Sequence, residues 1–362
     1  MPLMARERGP RIILLAPRPD RIWAAAGCSQ TRASALRALL RGDTPTTSRI
    51  SATPTRTREH EVDIRRAVVI VPTALACAVS LGCQSRVDDA AAPPSTIEAA
   101  SQLTTPLPLA LPPTEATAPE RLNHSPRHGE WVDIPLAGSN VTVSTWVVYP
   151  ERAGPAPVIL VIHEIFGLTD WVRGVADQFA AEGFIAVAPD LLSGMGPNDG
   201  GTASLGERDT VVATIGTLAP DERARRLDTV RAYALDIPAA SGRIGAVGFC
   251  WGGTSGFAYA ASQPELDAAV VYYGTSPEAP DAFARITAPV LGHYGQDDER
   301  VNATIPRAEA AMAGGPLFEP HIYPGAGHGF LRAQDARAGA NLRATEQAWP
   351  LTLAFLREHL ED

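Results

Sequence analysis

One cysteine stands in a turn suited to a nucleophile. Cys250 lies within residues 248–253 (Gly-Phe-Cys-Trp-Gly-Gly), between the apolar run 244–247 and an apolar stretch typical of a helix. A turn this tight between strand and helix needs Gly at its flanks, and its strain lifts the central side chain above the sheet. The amide of Trp251 would then face a developing oxyanion, and the positive end of the helix favours a thiolate. We predict a nucleophile elbow with Cys in place of Ser, whereas the alternative is an inert Cys on a Gly-rich turn.

A base and an acid follow the cysteine in the order that this kind of site requires, first the acid and then the His. Residues 295–301 (Gly-Gln-Asp-Asp-Glu-Arg-Val) come after an apolar run, which places carboxylates at the carboxyl end of a predicted strand. His328 lies among small residues in 324–330 (Pro-Gly-Ala-Gly-His-Gly-Phe). We expect His328 to accept the thiol proton and Asp298 to orient its ring. Asp297 competes with Asp298, and the spacing alone does not decide between them.

The elements that must position these residues follow an α/β pattern. From about residue 130, short apolar runs alternate with amphipathic stretches, which is typical of a mainly parallel sheet flanked by helices. The pattern predicts strands over 141–149, an early antiparallel one, and over 157–163, 184–188, 243–248, 268–273, 290–294 and 318–323. It predicts one helix whose N-terminus is capped by Asp170, and further helices over 221–235, 251–261 and 342–360. Residues 191–220 are predicted to form an irregular cap or loop over the site. We expect one catalytic domain over residues 126–362.

Four short segments together resemble the dienelactone hydrolase family, within the α/β-hydrolase superfamily. They are residues 163–167 (His-Glu-Ile-Phe-Gly), 248–253 (Gly-x-Cys-x-Gly-Gly), 272–274 (Tyr-Tyr-Gly) and 327–330 (Gly-His-Gly-Phe). The resemblance covers about residues 130–360. It implies an α/β-hydrolase fold, a Cys-His-Asp triad with Asp298 as the acid, hydrolysis of a lactone or ester, and neither cofactor nor metal.

The resemblance also implies roles for residues around the triad. Glu164 would contact the nucleophile and help to form the thiolate when substrate arrives. Because Glu164 directly follows a predicted strand, the next amide, that of Ile165, can join the amide of Trp251 in an oxyanion hole. Arg332, four residues after the His, would bind a substrate carboxylate. A second arginine belongs to the segment before the elbow, where this sequence departs from the family, and Arg208 is one candidate there.

The charge of the chain argues against one class of partner. The chain has 362 residues and no Lys, so all 31 basic residues are Arg. Residues 1–66 hold 13 Arg and 6 acidic residues, which leaves 18 Arg against 34 acidic residues and a net charge of −16 for the rest. Binding to a phosphate backbone requires clustered cations. We therefore expect a small-molecule ester or lactone substrate and no nucleic acid.

An export signal is predicted at residues 62–83. Two Arg precede the apolar run 67–81, and Gly82 and Cys83 follow it. This order of charge, apolar stretch and small residue is typical of a secretory signal, and the run is too short to span a bilayer comfortably. Its end is similar to a bacterial lipoprotein signal, although Ser80 stands where Leu is usual. We expect lipidation at Cys83, and the alternative is an internal buried helix.

The predicted export signal determines where we expect the protein to be located. Residues 84–125, rich in Ala, Pro, Thr and Ser, predict a flexible tether, and residues 1–61 are interpreted as a mis-called or disordered extension. The protein would then be exported, either anchored to a bacterial membrane by its N-terminal lipid alone or periplasmic, with a cytoplasmic location as the alternative. Cys28 and Cys77 precede the cleavage point, so the one thiol left unmodified would be Cys250.

Two classes of function fit these observations. The first is an enzyme, a thiol-dependent esterase or lactonase. The second is a surface-anchored binding protein on a hydrolase scaffold whose chemistry has lapsed, because fold does not determine function. The intact set of Cys250, Asp298 and His328 favours the enzyme.

Overall fold

The computed structural model describes residues 110–361, and the predicted signal with its Cys83 lies outside them. The described part contains eight strands: β1 (Gly129–Pro135), β2 (Thr142–Val148), β3 (Ala156–Ile162), β4 (Ile185–Pro189), β5 (Ala240–Phe249), β6 (Ala268–Tyr272), β7 (Val290–Gly295) and β8 (Phe318–Tyr323). They form one sheet in the order β1-β2-β4-β3-β5-β6-β7-β8. β2 is antiparallel to β1 and to β4, and the other neighbours pair in parallel. The predicted mainly parallel sheet is thus confirmed.

Helices cover both faces of this sheet. Within residues 110–361 they are α1 (Ala118–Asn123), α2 (Asp170–Ala181), α3 (Arg208–Ile215), α4 (Pro220–Leu235), α5 (Trp251–Ser262), α6 (Pro280–Phe283), α7 (Glu299–Asn302), α8 (Ile305–Met312) and α9 (Ala340–Leu360). Side chains of a strand alternate between faces, so Ile159 and Val161 of β3 pack with α2 and α9. Val158 and Leu160 pack with α4 and α5 on the other face. None of the helices in this part of the chain is long and apolar enough to cross a membrane.

The carboxyl ends of the parallel strands gather the predicted site. Five of these strands are each followed, within five residues, by a residue of the candidate active site. Those residues are Glu164 after β3, Cys250 after β5, Tyr273 after β6, Asp298 after β7 and His328 after β8. Open α/β sheets place their sites at this edge, because the loops that leave neighbouring strands meet there.

The structure corrects the end of the predicted tether. Residues 110–125 are packed against the sheet's helices, and α1 lies within them. The Trp171 indole donates a hydrogen bond to the carbonyl of Pro113 (2.9 Å), and the Gln334 amide donates one to the carbonyl of Pro112 (3.0 Å). These partners lie far along the chain, so composition alone could not reveal them. Residues 84–109 lie outside the described residues.

Two local expectations also change. Thr169, with an extended backbone, is the N-cap of α2, and Asp170 is its first residue, where it pairs with Arg173 (2.5 Å) instead of capping. A carboxylate in the first turn still interacts favourably with the helix dipole. The segment 191–220 is irregular as predicted, with short 3₁₀ turns, but it also contains α3.

Candidate active site

Cys250 lies at the turn between β5 and α5 with a strained backbone. Its φ of 55° falls in the left-handed region, which a residue with a side chain adopts at a cost of about 1–3 kcal/mol. A Cβ on Gly248 or on Gly252 would lie less than 3.0 Å from backbone atoms, in the second case the carbonyl oxygens of Ile162 and His163. The two glycines therefore let β5, α5 and the end of β3 approach closely, which holds the cysteine half-exposed above the sheet.

The structure brings His328 and Asp298 together. His328 Nδ1 lies 2.5 Å from Asp298 Oδ2, and the buried carboxylate accepts the proton of that nitrogen, which leaves Nε2 for other chemistry. Burial alone would lower the pKa of His328, but hydrogen bonds to Asp298 and Cys250 raise it to about 9. The competing Asp297 instead pairs with Arg337 (2.5 Å) on the surface. The geometry therefore favours Asp298 as the partner of the imidazole.

Glu164 is a buried carboxyl whose partner is an arginine. Its side chain is only 3% exposed, and burial raises its pKa to about 7 against the opposing charges of Arg332 and His328. Arg332 Nε lies 2.8 Å from Glu164 Oε2, but its N–H does not point at that oxygen, so the contact is an ion pair without a hydrogen bond. Within residues 110–361 no hydrogen bond joins Glu164 to Cys250. Arg332, predicted to bind substrate, thus also holds Glu164.

Two backbone amides are free to receive an oxyanion. The N–H groups of Ile165 and Trp251 donate no hydrogen bond to another residue of the described part of the chain. His163 connects their loops: its Nδ1 donates to the carbonyl of Glu164 (2.8 Å), its Nε2 accepts from the amide of Leu191 (3.1 Å), and its ring stacks on Trp251 (5.6 Å between centroids). Burial lowers the pKa of His163, so the ring is neutral. His163 belongs to the motif at residues 163–167, but the sequence indicated no role for it.

Tyr273 is a second residue whose role the sequence did not suggest. It follows β6 with a φ of 41°, and its ring meets the edge of the His328 ring (5.1 Å between centroids). Its hydroxyl is buried and has no hydrogen-bond partner among the described residues. Burial, with the nearby Glu164 and Cys250, raises the pKa of Tyr273, so the hydroxyl stays neutral and can donate. The only sequence signal was its place in Tyr-Tyr-Gly directly after a strand.

A cluster of charges lies on the Glu164 side of the site. The carboxylate of Glu115, from the segment before α1, forms ion pairs with both Arg208 and Arg332. The guanidinium carbons of these arginines lie 4.1 and 5.3 Å, respectively, from the ring centroid of Phe166. Arg208, one candidate for the second arginine, therefore lies beside Arg332, and the residue between them is an acid that the sequence did not single out.

A mainly parallel sheet with a strained Cys elbow, followed by an Asp and a His at the ends of later strands, defines an α/β-hydrolase. The profile of the dienelactone hydrolase family matches residues 143–360, and the chain belongs to that family. Its predicted fold and family are thereby confirmed.

Similar proteins agree with this assignment. The chain is 31% identical over 243 residues to the "Putative carboxymethylenebutenolidase" of Escherichia coli K12, which covers 63% of this chain and 86% of that one. It is 34% identical over 233 residues to a protein of the same name from Azospirillum brasilense, which covers 63% of this chain and 98% of that one. The crystal structure of a "Putative Dienelactone Hydrolase" from Klebsiella pneumoniae superposes with a TM-score of 0.56 at 27% identity, over 64% of this chain and 99% of that one.

Proposed function

We propose that this protein hydrolyses carboxylic esters or lactones through an acyl-enzyme on Cys250. The observation that carries the proposal is the 2.5 Å hydrogen bond between His328 and Asp298 beside the elbow. It supports the proposal because an oriented imidazole is what a thiol nucleophile needs as its base. The names of the family's relatives make a lactone the first substrate to test.

The proposed reaction consists of two acyl transfers, first to the Cys250 sulfur and then to water. The proton of the Cys250 thiol passes to His328 Nε2, which the raised pKa of about 9 favours, and the sulfur then attacks the carbonyl carbon while the electron pair of the C=O bond moves to oxygen. The amides of Ile165 and Trp251 donate hydrogen bonds to that oxyanion. The carbonyl forms again, the ester C–O bond breaks, and His328 gives the proton to the leaving oxygen. Water, deprotonated by His328, then attacks the thioester, the C–S bond breaks to release the acid, and the sulfur takes the proton back from His328.

Glu164 is proposed to assist the first step. With a pKa of about 7, its carboxyl can gain or lose a proton near neutral pH, which suits a group that exchanges protons with its surroundings. In the free protein its ion pair with Arg332 favours the charged form. A ligand that draws Arg332 away would therefore make Glu164 a stronger base.

Turnover by the purified protein tests the proposal. We expect hydrolysis of p-nitrophenyl acetate and weaker hydrolysis of dienelactone, which carries a carboxylate, with loss of both activities in Cys250→Ala and at most weak activity in Cys250→Ser. An acid quench during turnover should yield a peptide around Cys250 whose mass has increased by one acyl group. Far-UV circular dichroism checks that the variants fold. Turnover that persists in Cys250→Ala would contradict the mechanism, and a wild-type protein without turnover would favour the lapsed binding scaffold.

A further inference from the structure

Glu115 is the carboxylate on which two arginines beside the site, Arg208 and Arg332, converge. One carboxylate oxygen of Glu115 pairs with Arg208 and the other with Arg332. Both guanidinium groups also lie over the ring of Phe166, whose face attracts cations and so holds the two positive charges side by side. Two guanidinium groups that share one carboxylate form a strong, directional anion site. In this protein the anion is supplied by its own chain.

The segment that carries Glu115 is fixed in place. The backbone N–H of Glu115 donates to the carbonyl of Arg332 (3.0 Å), which connects it to the loop after His328. Pro113, two residues earlier, is buried and accepts the hydrogen bond of Trp171. A Cβ on Gly174 would lie 2.8 Å from the Pro113 ring, so this glycine makes room for the segment. Glu115 is therefore a built part of the arginine pair.

The cluster is connected to the catalytic residues through Arg332. The same guanidinium contacts Glu115 on one side and Glu164 on the other. Glu164 in turn lies near enough to His328 for the imidazolium charge to act on it. A substrate group that binds Arg332 would thus be connected to the proposed proton-transfer residues through a single ion pair, that of Arg332 with Glu164.

The charges at this place are already balanced. Partial burial opposes ionisation of Glu115, but Arg208 and Arg332 lower its pKa, so it is an anion at neutral pH. A cleft of about 430 Å³ opens beside the cluster, and both Glu115 and Asp335 line it with Arg332. A ligand with a carboxylate would have to displace Glu115 and approach Asp335. An uncharged group meets neither cost, which is how a site selects against a class of ligand.

We propose that Glu115 is a specificity-determining residue that occupies the Arg208–Arg332 pair and directs the enzyme toward esters or lactones without a carboxylate near the scissile bond. The inference rests on the proposed hydrolase function. It differs from the expectation that Arg332 is free to bind a substrate carboxylate. Removal of the Glu115 charge should expose both guanidinium groups to an anionic substrate.

Matched substrates test the inference in the full-length protein. p-Nitrophenyl valerate and mono-p-nitrophenyl glutarate have the same chain length and differ in a terminal methyl or carboxylate group. We expect Glu115→Gln to raise the ratio of kcat/KM for the glutarate to that for the valerate about ten-fold or more. The control Glu120→Gln, an exposed acid on α1 without a salt bridge among the described residues, should leave this ratio within about two-fold of wild type. An unchanged ratio in Glu115→Gln would overturn the inference.

A binding measurement separates this inference from the proposed function. Isothermal titration calorimetry with glutarate is carried out on Cys250→Ala, on Cys250→Ala/Glu115→Gln, and on that double variant with Arg208→Gln added. We expect the double variant to bind glutarate about ten-fold more tightly than Cys250→Ala, and the triple variant to lose that gain. Equal affinity in the first two proteins would overturn the role of Glu115 even if esters are hydrolysed. Tighter binding without any ester turnover would support it while the proposed function fails.

Discussion

Replacing Glu164 with Gln should change how the stability of the protein depends on pH. Burial raises the pKa of Glu164 from 4.5 in an ordinary environment to about 7 in the fold. The folded state therefore holds this proton more tightly than the unfolded state does. The resulting stabilisation is fully present below pH 4.5 and is lost as the pH rises through 7. Gln at position 164 does not titrate and lacks this dependence.

The size of the effect follows from the two pKa values. Between pH 6 and pH 8.5, proton linkage at Glu164 reduces the free energy of unfolding by about 1.4 kcal/mol. The calculation applies because the side chain is only 3% exposed, so solvent hardly screens it. His328, with its pKa of about 9, also loses stabilisation as the pH rises, but it titrates in both proteins. Its contribution largely cancels when the variant is compared with wild type.

Urea unfolding followed by tryptophan fluorescence at pH 6, 7 and 8.5 measures this difference. All three pH values lie above the sequence pI of about 5.4, the pH at which the protein would be least soluble. We expect the free energy of unfolding of wild type to fall by about 1.4 kcal/mol more than that of Glu164→Gln over the range. Glu120→Gln, exposed on α1, should follow wild type. If wild type and Glu164→Gln change in parallel, Glu164 does not have a raised pKa.

Three further predictions concern the acid, the elbow and the N-terminus. Asp298→Asn should lower kcat/KM by ~100-fold or more, because a neutral amide does not stabilise the imidazolium and allows the wrong tautomer of the ring. Surface Asp297→Asn should stay near wild type, and the reverse ranking would refute the assignment. Gly252→Ala should lower the free energy of unfolding by ~2 kcal/mol or more, whereas Gly256→Ala, whose Cβ would lie 3.5 Å from its nearest neighbour, should not. Full-length protein expressed in a bacterium should enter the membrane fraction, and Cys83→Ser should shift it to a soluble or unprocessed form; two cytosolic forms would refute the lipid anchor.

Much of the fold follows from the sequence because apolar runs of β-branched residues have few alternatives. β3 is such a run, and all seven of its residues are buried. β8 is more polar and less buried, but it too has the bounds that were predicted. The strand β1 was not predicted separately, since its residues are half-exposed at the edge of the sheet. The packing of residues 110–125 depends on Trp171 and Gln334, which become neighbours only when the chain has folded. Composition therefore predicted a tether where a packed segment lies.

The candidate site, like the fold, could be predicted from the sequence only in part. The order and spacing of Cys250, Asp298 and His328 are local in the sequence, since each follows its own strand, and the structure brings Asp298 and His328 into contact. The choice between Asp297 and Asp298 depends on which side chain points inward, and two consecutive residues carry no sequence signal for that. Tyr273 is drawn into the site by its ring contact with His328 and by the charges of Glu164 and Cys250, residues that follow three other strands.

The arginines show why residue identity alone gives an incomplete account of specificity. Arg332 has the type and position expected of a group that binds a substrate carboxylate, but a positive side chain attracts an anion only to the extent that its charge is uncompensated. Glu164 and Glu115 already pair with it, and the latter lies 217 residues earlier in the chain. Two relatives could thus share every motif around the nucleophile and differ in the charge of their preferred substrate. The difference would lie in the segment that precedes the first strand.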